Sequence, residues 1–447
     1  MPAIRVLIAD DSPFVCRMLT THLHATPGFQ VVGTAMNGLR AVELVKQLKP
    51  AAVTLDLEMP EMDGLEALKL IMRECPTPVI MLSGISREAA AITFEAIKLG
   101  AVDFILKYTP GVDTDPEVLR REIVAKVRAA SKVKVIRSLA AEDGTNPTDP
   151  VSVVSCLVAT GARSSAGSSQ KADNHRHRVG GDCLTRSPDR DYGHLFNKSA
   201  PSVVAARDIV VIGASTGGPT AVQELLQQLP ANFAVPILIV QHMPAAFTRV
   251  LAAQLDQQVA LHVREAQSGD RLEAGTVYIT PGDRHLLLNN DLTVDVRDGP
   301  KIAGHRPSID VTMQSVAQLC GARTIGVLLT GMGEDGAAGM SLIHAKRGKT
   351  YAQSEESCVV FGMPQRAIQL GSINTVASPE TIGKLLQAES EAISNRRANS
   401  STMQDERRFL SNRRQSPPGS PFALPPELFG QPTRGDNRGR RASDKVS

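Results

Sequence analysis

The sequence has no tryptophan, and aromatic residues make up only 3% of its 447 residues. Its cores must therefore be built from Ala, Val, Ile and Leu, which suits parallel strands buried on both faces. An excess of one charge is also missing. The 49 Lys and Arg against 46 Asp and Glu leave a formal net charge of +3, too little to argue for nucleic acid or an anionic membrane as partner. No run is long and apolar enough to span a bilayer, so membrane insertion is not expected. The opening MPAIRVLIADDS carries a short apolar run broken by acids and does not read as a signal peptide. Cys16, Cys75, Cys156, Cys183, Cys320 and Cys358 are scattered, without C-x-x-C or zinc spacing. That is the pattern of reduced thiols in a cytoplasmic protein.

What is present is an ordinary globular composition, 42% hydrophobic and 21% charged, long enough for two or three domains. Residues 1–130 alternate short Val/Ile/Leu runs with helical patterns, the signature of βαβ units and a parallel sheet. Residues 131–206 are rich in Ser, Gly, Asn, Arg, His and Asp and read as a flexible linker, interrupted by an apolar piece, Val151 to Val158, with no assignment. Residues 207–390 return to the βα rhythm. Residues 391–447 carry repeated Arg pairs, Pro and Ser with too few apolar side chains for a core, and read as a disordered basic tail. Such a tail is either a solvated segment or a dock for an acidic partner.

In the first region the run IRVLIA ends in Asp10-Asp11, AVTL ends in Asp56, VIML ends in Ser83, and the strand from Asp103 to Leu106 ends in Lys107. Parallel sheets gather ligand sites at the carboxyl ends of their strands. Carboxylates meeting there repel one another unless a cation intervenes, and Mg2+ with water and phosphate oxygens is the usual solution. A carboxylate can attack phosphorus to give an acyl phosphate, with Lys107 and the metal balancing charge and Ser83 bonding the phosphoryl oxygens. Taken singly, Asp10 and Asp11 could be a helix cap and Ser83 a turn serine. Together, IADDS, LDLEMPEMDG, MLSG and FILK resemble the receiver domain of two-component response regulators over residues 4–128. The resemblance implies Asp56 as phosphoacceptor, Asp10 and Asp11 as partners in holding Mg2+, Ser83 and Lys107 as switch residues, and Phe104 as the aromatic that changes rotamer. Family members often have Pro directly after the lysine. Here Tyr108-Thr109-Pro110 follows.

In the second region DIVVI runs into Gly213-Ala214-Ser215-Thr216-Gly217-Gly218-Pro219 and then a helical pattern. Small residues let the chain reverse from strand to helix, leaving Ser215 exposed on the turn and Pro219 at an early helical position. The turn matches G-x-S-x-G, and equally a phosphate-cradling loop. A nucleotide-binding fold would want an acid at the end of the next strand, VPILIV, for the ribose. His242 stands there instead, suited to general-base work or to a structural role. A third strand, TIGVLL, leads into Thr330-Gly331-Met332-Gly333-Glu334-Asp335-Gly336, where Asp335 could orient the imidazole. Glu334 is a rival, whose side chain should point elsewhere if Asp335 points in.

The motifs VIGASTGGP, IVQHMP, FTRVLAAQLD, AGTVYITPGDRHL, RPSIDVTMQS, LLTGMGEDGAAGM and VVFGMPQRAI span residues 207–385. They resemble the catalytic domain of bacterial chemotaxis protein-glutamate methylesterases, which also deamidate receptor glutamines. The resemblance implies Ser215 as nucleophile, His242 as base, Asp335 as orienting acid, the Met332 backbone N–H as an oxyanion donor and Thr216 as its support. It also implies chemoreceptors as substrate, a chemotaxis histidine kinase as phosphodonor, and no cofactor for the ester hydrolysis. The fold it implies is α/β. A flavodoxin-like, doubly wound five-stranded parallel sheet is followed by a larger Rossmann-like domain with mostly parallel strands. Two rival classes are weaker. A receiver-linked transcription factor would carry a helix-turn-helix after the linker. A non-enzymatic scaffold would leave the three side chains apart in space.

Overall fold

Four helix starts set the rhythm of the first domain in this computed structural model, which describes residues 2–107, 116–135, 156–158 and 208–415. Ser12, Asn37, Asp63 and Ser86 each accept a first-turn backbone N–H with their side chains, closing donors that a helix cannot satisfy internally. The elements are β1 (Ile4–Ala9), α1 (Pro13–His24), β2 (Phe29–Ala35), α2 (Gly38–Leu48), β3 (Ala52–Asp56), α3 (Gly64–Glu74), β4 (Val79–Ser83), α4 (Arg87–Lys98), β5 (Asp103–Leu106) and α5 (Pro116–Ala130). The strands pair in parallel in the order β2-β1-β3-β4-β5, the flavodoxin-like doubly wound order. Gly64 permits the tight return after β3, because a Cβ there would lie 1.9 Å from the Asp56 carbonyl oxygen.

Between the domains, β6 (Val133–Val135) pairs antiparallel with β7 (Cys156–Val158). The end of the apolar piece at 151–158 is therefore a strand. The other linker residues, 136–155 and 159–206, lie outside the described residues, as do Tyr108, Thr109 and Pro110.

The second domain contains β8 (Ile209–Ala214), α6 (Gly218–Leu226), β9 (Ile237–Gln241), α7 (Ala245–Gln258), β10 (His262–Glu265), β11 (Thr276–Ile279), β12 (His285–Leu288), β13 (Val294–Arg297), α8 (Ile309–Cys320), β14 (Thr324–Leu328), α9 (Ala337–Ala345), β15 (Lys349–Gln353), α10 (Met363–Gln369), β16 (Thr375–Ala377) and α11 (Pro379–Gln415). Seven strands form one parallel sheet in the order β10-β11-β9-β8-β14-β15-β16. β12 and β13 make a separate antiparallel hairpin. Val210, Ile212, Ile237, Ile239 and Val327 are wholly buried in the centre of the seven-stranded sheet, each stabilising the fold by about 1.5–3 kcal/mol. The strand order turns back at β8, with β9 on one side and β14 on the other. In open α/β sheets the crevice beyond such a switch point is where ligands bind.

The expectation of disorder from residue 391 is corrected by α11, which runs on through Gln415. Ile382, Leu386 and Ile393 are buried against the core. A helix already nucleated by packing propagates at little cost into a polar segment. Residues 416–447 lie outside the described residues.

The two α/β domains share one compact unit, Met1–Ile393. Phe104 of β5 stacks on Phe247 of α7 with ring centroids 4.5 Å apart and planes 7° from parallel. Phe94 of α4 packs on the same ring at 6.1 Å.

Candidate active site

β9, β8 and β14 are neighbours, and the chain just past their carboxyl ends carries His242, Ser215 and Asp335 in turn. Ser215 follows β8 directly. Its N–H donates to Thr330 O (3.0 Å), and its carbonyl accepts from Gly218 N (2.8 Å) and Gln241 Nε2 (2.8 Å). The elbow is thus pinned to the ends of both flanking strands. Gly217 has φ +75°, and a Cβ there would come within 2.6 Å of Val359, so the turn requires glycine for both conformation and space. Gly331 is equally confined, since a Cβ would lie 2.7 Å from that of Ser215 and 2.4 Å from Met363 Sδ.

His242 Nε2 lies 2.8 Å from Asp335 Oδ2, and both side chains are almost wholly buried. Asp335 also accepts from Ser308 Oγ (2.9 Å), Ile309 N (2.8 Å), Asp310 N (3.0 Å) and Gly336 N (3.1 Å). The Ile309 and Asp310 amides belong to the first turn of α8, whose positive end favours an anion. Burial by itself would raise the pKa of this carboxyl. The His242 hydrogen bond and charge, with the Asp310 and Ile309 amides, more than offset it and hold Asp335 well below the usual carboxylate range. An ionised carboxylate can only accept, so His242 Nε2 is the donor of this pair, which leaves Nδ1 as the lone-pair nitrogen whenever the ring is neutral. His242 Nδ1 is buried and has no hydrogen-bond partner. The residue lines a cavity of about 480 Å3 together with Ser215, Thr216 and Met332. Glu334, the rival acid, is half exposed and pairs with Arg366 at 3.4 Å.

The receiver residues converge as well. Lys107 Nζ lies 3.0 Å from Asp10 Oδ2 and 2.6 Å from Asp56 Oδ2. Asp10, Asp11 and Asp56 present carboxylate oxygens within 4.8 Å of one another, a hard-oxygen set that fits Mg2+. Burial raises Asp56 to about 6, against the pull of Lys107 and helped by Asp10. A carboxylate crowded in this way has room for a further positive charge. Ser83 is buried, donates to Gly84 O (3.1 Å) and accepts from Thr93 Oγ1 (2.7 Å). Phe104 is buried, with its ring stacked on that of Phe247.

Several contributors carry no signal in residue type alone. Gln241, Ser308 and His305 each lie inside or beside a quoted motif, yet Gln241 and Ser308 act on partners 26 and 27 residues away in the chain and His305 on His242 by ring stacking. Thr93 sits mid-helix, where nothing in the sequence marks it as the Ser83 partner.

Residues 6–114 match the family described as response regulator receiver domain, and residues 210–386 match the CheB methylesterase family. A protein-glutamate methylesterase/protein-glutamine glutaminase of Symbiobacterium thermophilum is 40% identical over 380 residues, covering 85% of this chain and 95% of that protein. One from Archaeoglobus fulgidus is 39% identical over 379 residues, covering 83% and 94%. One from Koribacter versatilis is 38% identical over 392 residues, covering 87% and 97%. Identity at this level, along nearly the full length of each relative and with both matched regions in the same order, shows that this chain belongs to the CheB methylesterase family in its receiver-linked form.

Proposed function

We propose that Ser215, His242 and Asp335 are the nucleophile, base and orienting acid of a phosphorylation-controlled protein-glutamate methylesterase and protein-glutamine glutaminase. The observation that carries this reading is a buried His242 whose Nε2 is tied to Asp335 while Nδ1 has no partner, on the wall of a cavity that Ser215 also lines. Nδ1 takes the Ser215 proton as Oγ bonds to the γ-carbonyl carbon of a glutamyl methyl ester. Backbone N–H groups, that of Met332 among them and supported by Thr216, hold the oxyanion, each contributing about 3 kcal/mol. The intermediate collapses, and methanol leaves with the proton from His242. Water then gives its proton to Nδ1, attacks the acyl carbon and releases glutamate and free Ser215. A glutamine side chain follows the same path and releases ammonia.

Asp56 accepts a phosphoryl group from a chemotaxis histidine kinase. Asp10, Asp11 and Asp56 would hold Mg2+, which supplies positive charge for the phosphoryl oxygens. Lys107 shares that role, and Ser83 turns to the new phosphate. Phe104, Leu106, Arg121 and Lys126 of the receiver line the cavity of Ser215, which supports the reading that the unphosphorylated receiver restricts it. The substrates are methyl-accepting chemoreceptors, reached from the cytoplasm, and the outcome is adaptation in chemotaxis. The working parts are the receiver to residue 130, the linker 131–206 and the catalytic domain 207–390. Among the described residues no helix is long and apolar enough to cross a membrane.

The test is methanol release from methylated receptor membranes, with and without acetyl phosphate. Phosphodonor should raise the rate, Ser215→Ala should abolish it, and the fragment from residue 207 should exceed the unphosphorylated whole chain. Full hydrolysis by Ser215→Ala would end the reading.

A further inference from the structure

His305 lies against His242 with ring centroids 4.0 Å apart and planes 7° from parallel. It is held there by a two-residue hairpin. Ile302 and His305 exchange both backbone hydrogen bonds at 2.9 Å, and the central residues Ala303 and Gly304 have φ +49° and +88°, as a I′ turn demands. A left-handed alanine persists only where its surroundings over-determine it. The flanks of the hairpin are anchored too. Arg306 Nη1 donates to Gly299 O at 2.6 Å. His285 Nε2 lies 2.9 Å from Pro300 O, and His285 Nδ1 accepts from Ser308 N at 3.3 Å. The segment that carries His305 then continues into Ser308, Ile309 and Asp310, which hold Asp335. One stretch of chain thus touches both His242 and Asp335.

A single hydrogen bond is a pivot. Nε2 on Asp335 leaves the imidazole free to swing about that bond, carrying Nδ1 away from Ser215. We propose that His305 is a positioning residue whose ring, stacked on His242, removes this swing and keeps Nδ1 directed at Ser215. The inference rests on the nucleophile and base assignments above. Burial, reinforced by the neighbouring His242, lowers His305 to about 4. At neutral pH it is therefore an uncharged face that an imidazolium formed on His242 can rest against without repulsion. A misplacement on the order of 1 Å at a reacting group can cost about a hundredfold in rate.

The test uses the full chain activated with acetyl phosphate, reading both the labelling of Ser215 by a fluorophosphonate and methanol release from methylated receptor. His305→Ala should slow labelling and lower kcat at least tenfold while KM stays within twofold. His305→Phe, which restores a flat stacking ring, should recover to within threefold of the parent. His305→Leu, which restores volume but no flat ring, should not. If His305→Ala fails to fold, as judged by thermal unfolding, the Phe and Leu variants carry the comparison. Equal rates for those two, a loss confined to KM, or an unimpaired Ala variant would overturn the positioning role. His242→Ala is the control for the underlying assignment. Parent-like labelling of that variant would sink the base reading itself, whatever the His305 variants do.

Discussion

Asp335 Oδ2 stands 2.8 Å from His242 Nε2 while the same carboxylate takes two amides from the first turn of α8. It is therefore an anion anchored by a helix and not merely by the histidine. Asp335→Asn should act on both counts. Its NH2 group would face donors that need an acceptor, leaving buried N–H groups unpaired at about 1–3 kcal/mol each. It would also favour the wrong imidazole tautomer, with an expected loss on the order of 10^3–10^4 in kcat. Urea unfolding and methanol release on one sample check both. A stable variant with more than a tenth of the parent kcat would contradict this account.

Gly331 sits against Ser215, the proposed nucleophile. A methyl group there meets the Ser215 Cβ and the sulfur of Met363. The Met363 side chain can yield, but the elbow cannot without moving Oγ, because its backbone is bonded on both sides. Gly331→Ala should therefore lower fluorophosphonate labelling about a hundredfold, with a stability loss of about 1–3 kcal/mol from overpacking. Labelling within threefold of the parent would show that the elbow has slack.

Much of this was legible in the chain because parallel sheets place their chemistry at one edge. Asp10, Asp56, Ser83 and Lys107, and then Ser215 and His242, all follow runs of Val, Ile and Leu, and each emerges at a strand's carboxyl end. Strand bounds shift by a residue or two, as at Val79–Ser83 and Ile237–Gln241, without moving those side chains off the edge. Illegible were features set by distant partners. The Thr93 hydroxyl on Ser83, the Gln241 amide on the Ser215 carbonyl and the hairpin presenting His305 leave no period or local motif. The helical start of the basic tail leaves no signal of its own, because two of its apolar anchors, Ile382 and Leu386, precede it and only Ile393 lies within it.

Phe247 follows His242 by five residues and carries the Phe104 ring on its face. An aromatic pair of this kind is worth about 0.5–1.5 kcal/mol beyond its burial. Phe104→Ala should loosen the receiver from α7, raise methanol release without phosphodonor several-fold, and shrink the gain on adding acetyl phosphate. The ratio of the two rates is the measurement. An unchanged ratio would place the restraint elsewhere on the interface.

The low pKa of His305 has a consequence for stability. Burial and His242 lower it from the ordinary 6.5 to about 4, and burial lowers His285 as well. The unfolded chain therefore binds protons at these rings that the folded chain refuses, so stability is complete above pH 6.5 and declines as pH falls through the window down to 4. The charged groups around the pair are His242, Asp283, Asp335, Lys301 and Arg306 on the catalytic side, and Asp103, Arg121, Glu122 and Lys126 across the cavity. Asp335 stays ionised throughout that window and so does not titrate with them. His305→Phe removes one of the two rings without removing the stack. Its urea midpoint should fall less steeply than the parent's between pH 6.5 and 4.5, and the two curves should run parallel above pH 7. Identical slopes in the acid window would mean that His305 takes up its proton in the folded state as readily as in the unfolded one.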